Sequence, residues 1–406
     1  MFLGFRNRLG FQLEQIVAFA LLFNSFSWFF LGQIMVDKVA FSFETSLESL
    51  FLSLAYPVSL IVSGIVGTIY LTKFRKIDFF YIWLLLGVMA SLLFAIPAVF
   101  SLRTALVTII FAGSSFGFGM PLCLAYFANS VPIERRGRVG GITFLATTSI
   151  VPLVVFSMST LDMMSSAVVF AVWRGWSLIP LFFISQESPY EMAPKHKISF
   201  NLVLNDRTFI LYFIAWFMFS LVDGFESVIM ESHMENLHSI MIIIEPIIAG
   251  LSAFAAGLLS DWIGRKRVMI FGFVSLGIAY AILGIASHIW FSWLFHFFIN
   301  GVAIGLLWVL FTIVLWGDLS RFSSEKYYAV GETPLFLTQI VSLLLAPYVA
   351  LIPVNSAFSL AAFFLFIAIV PLLYAPETLP QKKIQQRQLK IYTREALKLK
   401  QKIEQK

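Results

Sequence analysis

Twelve runs of about 20 apolar residues, separated by short polar segments, make up most of this chain. Inside a bilayer every backbone N–H and C=O must be satisfied within the segment itself, which selects a membrane-spanning α-helix. The runs fall at 16–36, 50–71, 79–100, 104–129, 139–158 and 164–184, then at 208–230, 239–260, 267–287, 290–316, 330–352 and 355–375. Of the 406 residues 59% are hydrophobic and only 12% are charged, a balance far from that of soluble domains. The fold class predicted is an all-α membrane protein with twelve transmembrane helices. The first run is too long for a signal-peptide core and has no cleavage pattern, so it is expected to stay in the mature chain. Cys123 is the only cysteine, which excludes an intramolecular disulfide, and no spacing suggests a metal site or a cofactor.

The basic residues set the orientation. Arg135, Arg136 and Arg138, then Arg265, Lys266 and Arg267, fall with the other basic clusters in segments that share one side. The opposite loops hold only Lys38 and Arg103. By the positive-inside rule the basic side is cytoplasmic, and both termini lie on it. The net charge of +6 is concentrated after Pro380, so it points to a tail on anionic membrane lipid and not to nucleic acid. In that tail Leu389, Tyr392, Ala396, Leu399 and Ile403 recur at spacings of three and four, one face of an amphipathic helix. An interfacial helix and a short coiled-coil contact would both use such a face.

The chain also repeats itself. Gly67 and Gly257, each before a basic loop, are 190 residues apart, as are Glu187 in QESP and Glu377 in APETLP. The repeat predicts two pseudo-symmetric six-helix bundles, over 1–184 and 208–376, joined by a cytoplasmic linker over 185–207. A basic cytoplasmic tail follows over 377–406. Repeats of this kind place a substrate site near mid-membrane between the halves.

GLLSDWIGRKR, from Gly257 to Arg267, joins the eighth and ninth runs through one acid, Asp261, and three bases. Gly257 and Gly264 permit close helix approach and a sharp turn, and Asp261 can cap a neighbouring helix or pair with an arginine such as Arg265. This segment resembles the signature loop of the major facilitator superfamily. VPIERRGRVGG, from Val131 to Gly141 and containing Arg136, is similar to the loop after the fourth helix in many members. QESP and APETLP are similar to endings in the sugar and metabolite symporter branch. The resemblance implies a monomeric secondary transporter, not an enzyme, that moves a small-molecule solute by alternating access. It assigns gating to Gly257, Asp261, Gly264, Arg265 and Arg136. The chain also departs from the pattern. GTIYLTKFRK has Leu71 where the second-half loop has Asp261, and GSSFGFG in the fourth run lacks an arginine. The fifth run lacks the drug-antiporter signature and the seventh the sugar signature. The degenerate first-half loop keeps a second reading open, a transport-inactive sensor or scaffold with the same fold.

A charge at mid-membrane costs roughly 2.5 kcal/mol or more, so each one needs a reason. The runs contain Arg174, Asp223, Glu226, Glu245 and Glu332. Asp223 and Glu245 lie about 10 Å from the outer ends of their runs, and His296 and Asn300 share a face of the tenth. Carboxylates and imidazoles inside a membrane are the groups of proton relays, so Asp223, Glu245 and His296 are the candidates for proton coupling. A wet outer mouth that only steers cations is the alternative for Asp223 and Glu226. Glu332, near an inner end, reads as solvated. By the resemblance, helices one, four, seven and ten line the cavity. Asn24, Ser27 and Trp28 share one face of the first helix. With Tyr126, His296, Asn300 and Trp308 they form the candidate substrate-binding set, interhelical hydrogen bonding being the alternative. Arg174, deep in the sixth run, could meet an anionic solute or a buried partner.

Overall fold

The computed structural model describes residues 2–43, 45–70, 76–183, 199–233, 235–320 and 324–380. Leu71 and the basic loop after it, most of the linker with Glu187, and the tail with its amphipathic face lie outside the described residues. Within them the apolar runs form twelve principal helices. The first half holds α1 Phe2–Ala40, α2 Ser46–Tyr70, α3 Lys76–Leu93, α4 Leu102–Ser130, α5 Arg136–Ser159 and α6 Met163–Gly175. The second holds α7 Arg207–His233, α8 Glu235–Ile263, α9 Arg265–Ala286, α10 Trp290–Trp308, α11 Thr333–Val349 and α12 Val354–Tyr374. Eleven helical stretches among the described residues are long and apolar enough to cross a membrane, and the apolar part of α3, Ile77–Leu93, is the shorter twelfth.

Four runs are interrupted where a continuous helix was expected. The third ends at Leu93, followed by a 3₁₀ turn over Pro97–Phe100. The sixth ends at Gly175 and resumes only as Leu178–Leu181, where Pro180 removes a backbone donor. The tenth passes from α10 into a fully buried π-helical turn, Val309–Leu315, before a last turn at Trp316–Leu319. The eleventh begins earlier than expected, as Ser324–Gly331, and breaks at Glu332; Pro334, which lacks an N–H, then stands in the first turn of the helix that follows, where that donor is not needed. Glu332 is therefore not a solvated end residue; it sits at an internal break.

Packing follows the repeat. In the first half α2 packs on α4, α3 on α6, and α1 on α4 and α5; in the second, α9 packs on α12, α8 on α10, and α7 on α11 and α12. The bundles meet along two seams, α5 with α8 and α2 with α11. Each bundle is organised around an indole. Trp28 stacks between Phe116 and Phe170 at 5.8 and 5.4 Å, and Trp216 between Phe219 and Phe311 at 5.6 and 4.8 Å. Such pairs contribute about 0.5–1.5 kcal/mol beyond their buried area. Outward-facing side chains such as Phe156, Val172 and Ile285 are large and apolar, as a lipid-facing surface requires.

Candidate functional site

At the basic end of the α5–α8 seam four charged side chains join the bundles. Asp261 accepts from Gly137 N at 3.1 Å and Arg138 N at 2.8 Å, so a carboxylate of α8 caps the first turn of α5 across the seam. It also pairs with Arg265 at 2.5 Å. Arg265 continues outward, donating to Ile133 O at 2.7 Å and meeting Asp318 at 3.2 Å. Asp318 in turn binds Arg136 at 2.7 Å, and Arg136 also donates to Val131 O and Ala128 O. Asp261, Arg265 and Asp318 are almost wholly buried, while Arg136 is 13% exposed. The two acids and two bases neutralise one another. Removing one member leaves a buried charge without its partner, a loss of about 3–5 kcal/mol. Asp318 was missed in the sequence because it follows an apolar run as an ordinary-looking loop acid.

Two glycines let this seam close. A Cβ on Gly257 would stand 2.1 Å from Gly137 O, so the backbones touch directly. Gly264 has φ 106°, which lets the chain turn from α8 into α9 at once. There the acid-proline ending acquires a role: Glu377 accepts from Arg265 N at 2.8 Å and Lys266 N at 3.2 Å, capping α9. Lys266 Nζ returns to Leu373 O and Ala375 O at the end of α12.

Beyond this charged cluster the bundles part around a cavity of two chambers. One, of about 440 Å³, lies among α1, α2, α4, α7 and α11; the other, of about 790 Å³, lies among α1, α5, α7, α8 and α10. Asp223, Ser227 and Trp308 line both. Trp308 sits between halves, 6.3 Å from Phe30 and from Phe144 and 6.4 Å from Trp216. Glu245 and Asn300 line the larger chamber, with Asn300 Nδ2 donating to Glu245 at 2.8 Å. Glu332 faces the smaller one.

The structure pairs the remaining polar residues differently from their sequence grouping. His296 does not line either chamber. It lies fully buried behind Glu226, 2.6 Å from its Oε1, while Tyr280 donates to the other oxygen. Glu226 lines the larger chamber but is only 5% exposed, so a wet outer mouth does not describe it. Asn24, Ser27 and Trp28 do not line the cavity. Their shared face turns into the first bundle, where Asn24 donates to Trp173 O at 2.6 Å, Ser27 accepts from Trp173 Nε1 at 2.8 Å and Trp28 donates to Ser91 at 2.9 Å. The cavity face of α1 is instead Phe26, Phe29, Phe30 and Ile34, a stripe that polarity alone did not single out. Tyr126 is buried against Phe80 and does not line the cavity either.

Arg174 shares that inner face. Its guanidinium lies between the rings of Trp28 and Trp83 at 4.8 and 4.3 Å and donates to Asn24 Oδ1 and Ser25 Oγ at 2.9 and 3.1 Å. Cation–π contact and neutral acceptors hold the charge in the bundle core, away from the cavity.

The Major Facilitator Superfamily model matches residues 208–402, beginning with α7 and running past α12. No curated protein matches the chain in sequence. Among solved structures it is similar to the proton:xylose symporter XylE bound to 6-bromo-6-deoxy-D-glucose, at 16% identity over 92% of this chain and 97% of that one, with a TM-score of 0.72. A bacterial homologue of the iron transporter ferroportin, in an outward-facing state, is 12% identical over 90% and 98% of the two chains, with a TM-score of 0.70. The human organic anion transporter MFSD10 is 14% identical over 89% and 99%, with a TM-score of 0.66. At these identities the likeness speaks for the fold. The second half of the chain thus matches the Major Facilitator Superfamily in sequence, and the chain as a whole shares the fold of these transporters.

Proposed function

We propose that this integral membrane protein is a secondary transporter that moves a small organic solute by alternating access. The observation that carries the reading is a cavity between the two bundles, sealed at one end by charged groups from both. By the positive-inside rule we read the sealed end, both termini and the 185–207 linker as cytoplasmic, which makes the conformation described the one closed inward. The outward swing would need no new contacts within either bundle. The inward swing must part Asp261 from the α5 terminus and Arg136 from Asp318, which makes the latch the barrier between states. The tail over 377–406 is suited to the anionic inner leaflet.

Asp223 and Glu245 are the groups through which a proton gradient would act. Both face the cavity, with Glu226, His296 and Glu231 near them, and taking up a proton removes a charge that the inward-facing state would otherwise bury or hydrate anew.

A label placed in the cavity tests the reading without a known solute. Cys123 is buried, so a Ser227→Cys variant presents one reactive thiol. In oriented vesicles an impermeant maleimide is expected to label it from outside, and from inside once Asp261→Asn is added. If Asp223 or Glu245 holds the coupled proton, its amide variant changes the favoured side and removes the effect of pH on labelling. Labelling from one side only under every condition would contradict alternating access.

A further inference from the structure

The lining of the cavity identifies the class of solute, an inference that rests on the transporter reading of the same site. Five carboxylates line the two chambers, Asp223, Glu226, Glu231, Glu245 and Glu332, and no lysine or arginine is among the described lining residues. Glu226 is answered by His296 and Tyr280, and Glu245 by Asn300. Asp223 faces both chambers with no hydrogen bond from any described residue. Acids alone do not define a ligand. Two further lining side chains point to one, because each is more than nine-tenths buried and holds an oxygen to which nothing donates. They are Asn300, 3% exposed, through Oδ1, and Ser342, 7% exposed, through Oγ. An orphan acceptor in a membrane interior calls for an N–H or O–H from outside the protein.

The walls are apolar and aromatic: Phe26, Phe29 and Phe336 on one side, Phe30 and Phe144 on the other, with Trp308 between. Aromatic faces attract cations and repel anions. Trp308 Nε1 is a buried donor without an acceptor, which suits an oxygen on the solute. The alternatives fit less well. An anion would meet five carboxylates and no fixed cation. A quaternary ammonium would leave Asn300 and Ser342 unanswered. Among the described residues no group of three His, Cys, Asp or Glu could hold a metal ion.

We infer that the cavity takes a primary or secondary ammonium ion on an apolar frame, its charge against Asp223, its N–H groups toward Asn300 and its frame against the phenylalanines. Asp223 is then the binding residue and Glu231, exposed at the mouth, the steering one.

Calorimetry on the purified full-length chain in detergent tests this with four probes of one frame: hexylammonium, hexyltrimethylammonium, hexan-1-ol and hexanoate. Hexylammonium is expected to bind saturably, and the trimethyl analogue roughly tenfold or more weakly, since it keeps charge and micelle partition but has no N–H. The alcohol and the acid are expected to show no saturable binding. Asp223→Asn should weaken hexylammonium by roughly tenfold or more, whereas Glu231→Gln should act mainly at low salt. Hexanoate or hexanol binding as well as the ammonium, or no ammonium binding to the wild type, would overturn the inference; neither result depends on a variant folding. Failure here is separable from failure of transport, because the Ser227→Cys labelling needs no solute. A cavity that changes sides but ignores ammonium ions ends this inference alone. Ammonium binding in a cavity that never changes sides upholds the site and removes transport from it.

Discussion

At the scale of single residues, the tightest constraint is the backbone contact between Gly257 and Gly137. A methyl at Gly257 would lie 2.1 Å from a carbonyl oxygen that belongs to α5 and cannot rotate away. Gly257→Ala should therefore cost the latch-closed state about 1–3 kcal/mol, in the range of overpacked sites. The open state, where α5 and α8 separate, escapes that cost. Expected is faster modification of latch-end cysteines with little loss of thermal stability, while Gly175→Ala, whose added carbon meets only Val88 at 3.7 Å, leaves both unchanged. Equal modification rates in the two variants would mean that the seam does not open there. Residue roles were unevenly legible from sequence. Asp261 with Arg265 was readable because the acid and base lie four apart at a span end. Asn24, Ser27 and Trp28 were not, since a shared helix face says which residues point together but not whether they point to a cavity or to a neighbouring helix. Arg174 and Trp173 decide it, and they stand about 150 positions away, beyond any local pattern.

At the scale of elements, helix ends carry much of the device. α9 starts without a turn to spare after Gly264, and its first N–H groups are served by Glu377 from beyond α12. Glu377→Ala removes that cap and should lower stability by about 0.5–2 kcal/mol. Thermal unfolding in detergent would register this as a lower midpoint, and an unchanged midpoint would show water capping α9 equally well. The helices themselves were legible, since uninterrupted apolar length has one outcome in a bilayer. Their breaks were less so. Pro334 marked the eleventh, but the π-helical turn over Val309–Leu315 arises in a run of six apolar residues and one threonine, with no proline or glycine. That turn is wholly buried, so tertiary packing, not local preference, selects it. The acid-proline repeat was visible as an offset of 190, yet its meaning needed the cap to be seen.

At the scale of the molecule, the two bundles meet along two seams, and the charged contacts between them cluster at one end. A cavity with five carboxylates lies on the far side of that cluster. The pseudo-symmetry was legible from the repeat, whereas the cavity was not, because it is bounded by faces of eight helices that no single segment reveals. The central claim is that the Asp261–Arg265–Asp318–Arg136 cluster holds one end of a rocking pair of bundles shut. Pulsed dipolar spectroscopy on two doubly labelled pairs tests it most directly. One pair sits at the latch end, Arg135→Cys with Arg267→Cys, and the other at the opposite end, Thr160→Cys with His288→Cys; all four positions are exposed. In reconstituted protein, adding Asp261→Asn should lengthen the first distance and shorten the second together, as rigid bundles pivoting about a fixed cavity require. Distances that stay fixed, or a latch end that loosens while the opposite end keeps its spacing, would contradict it.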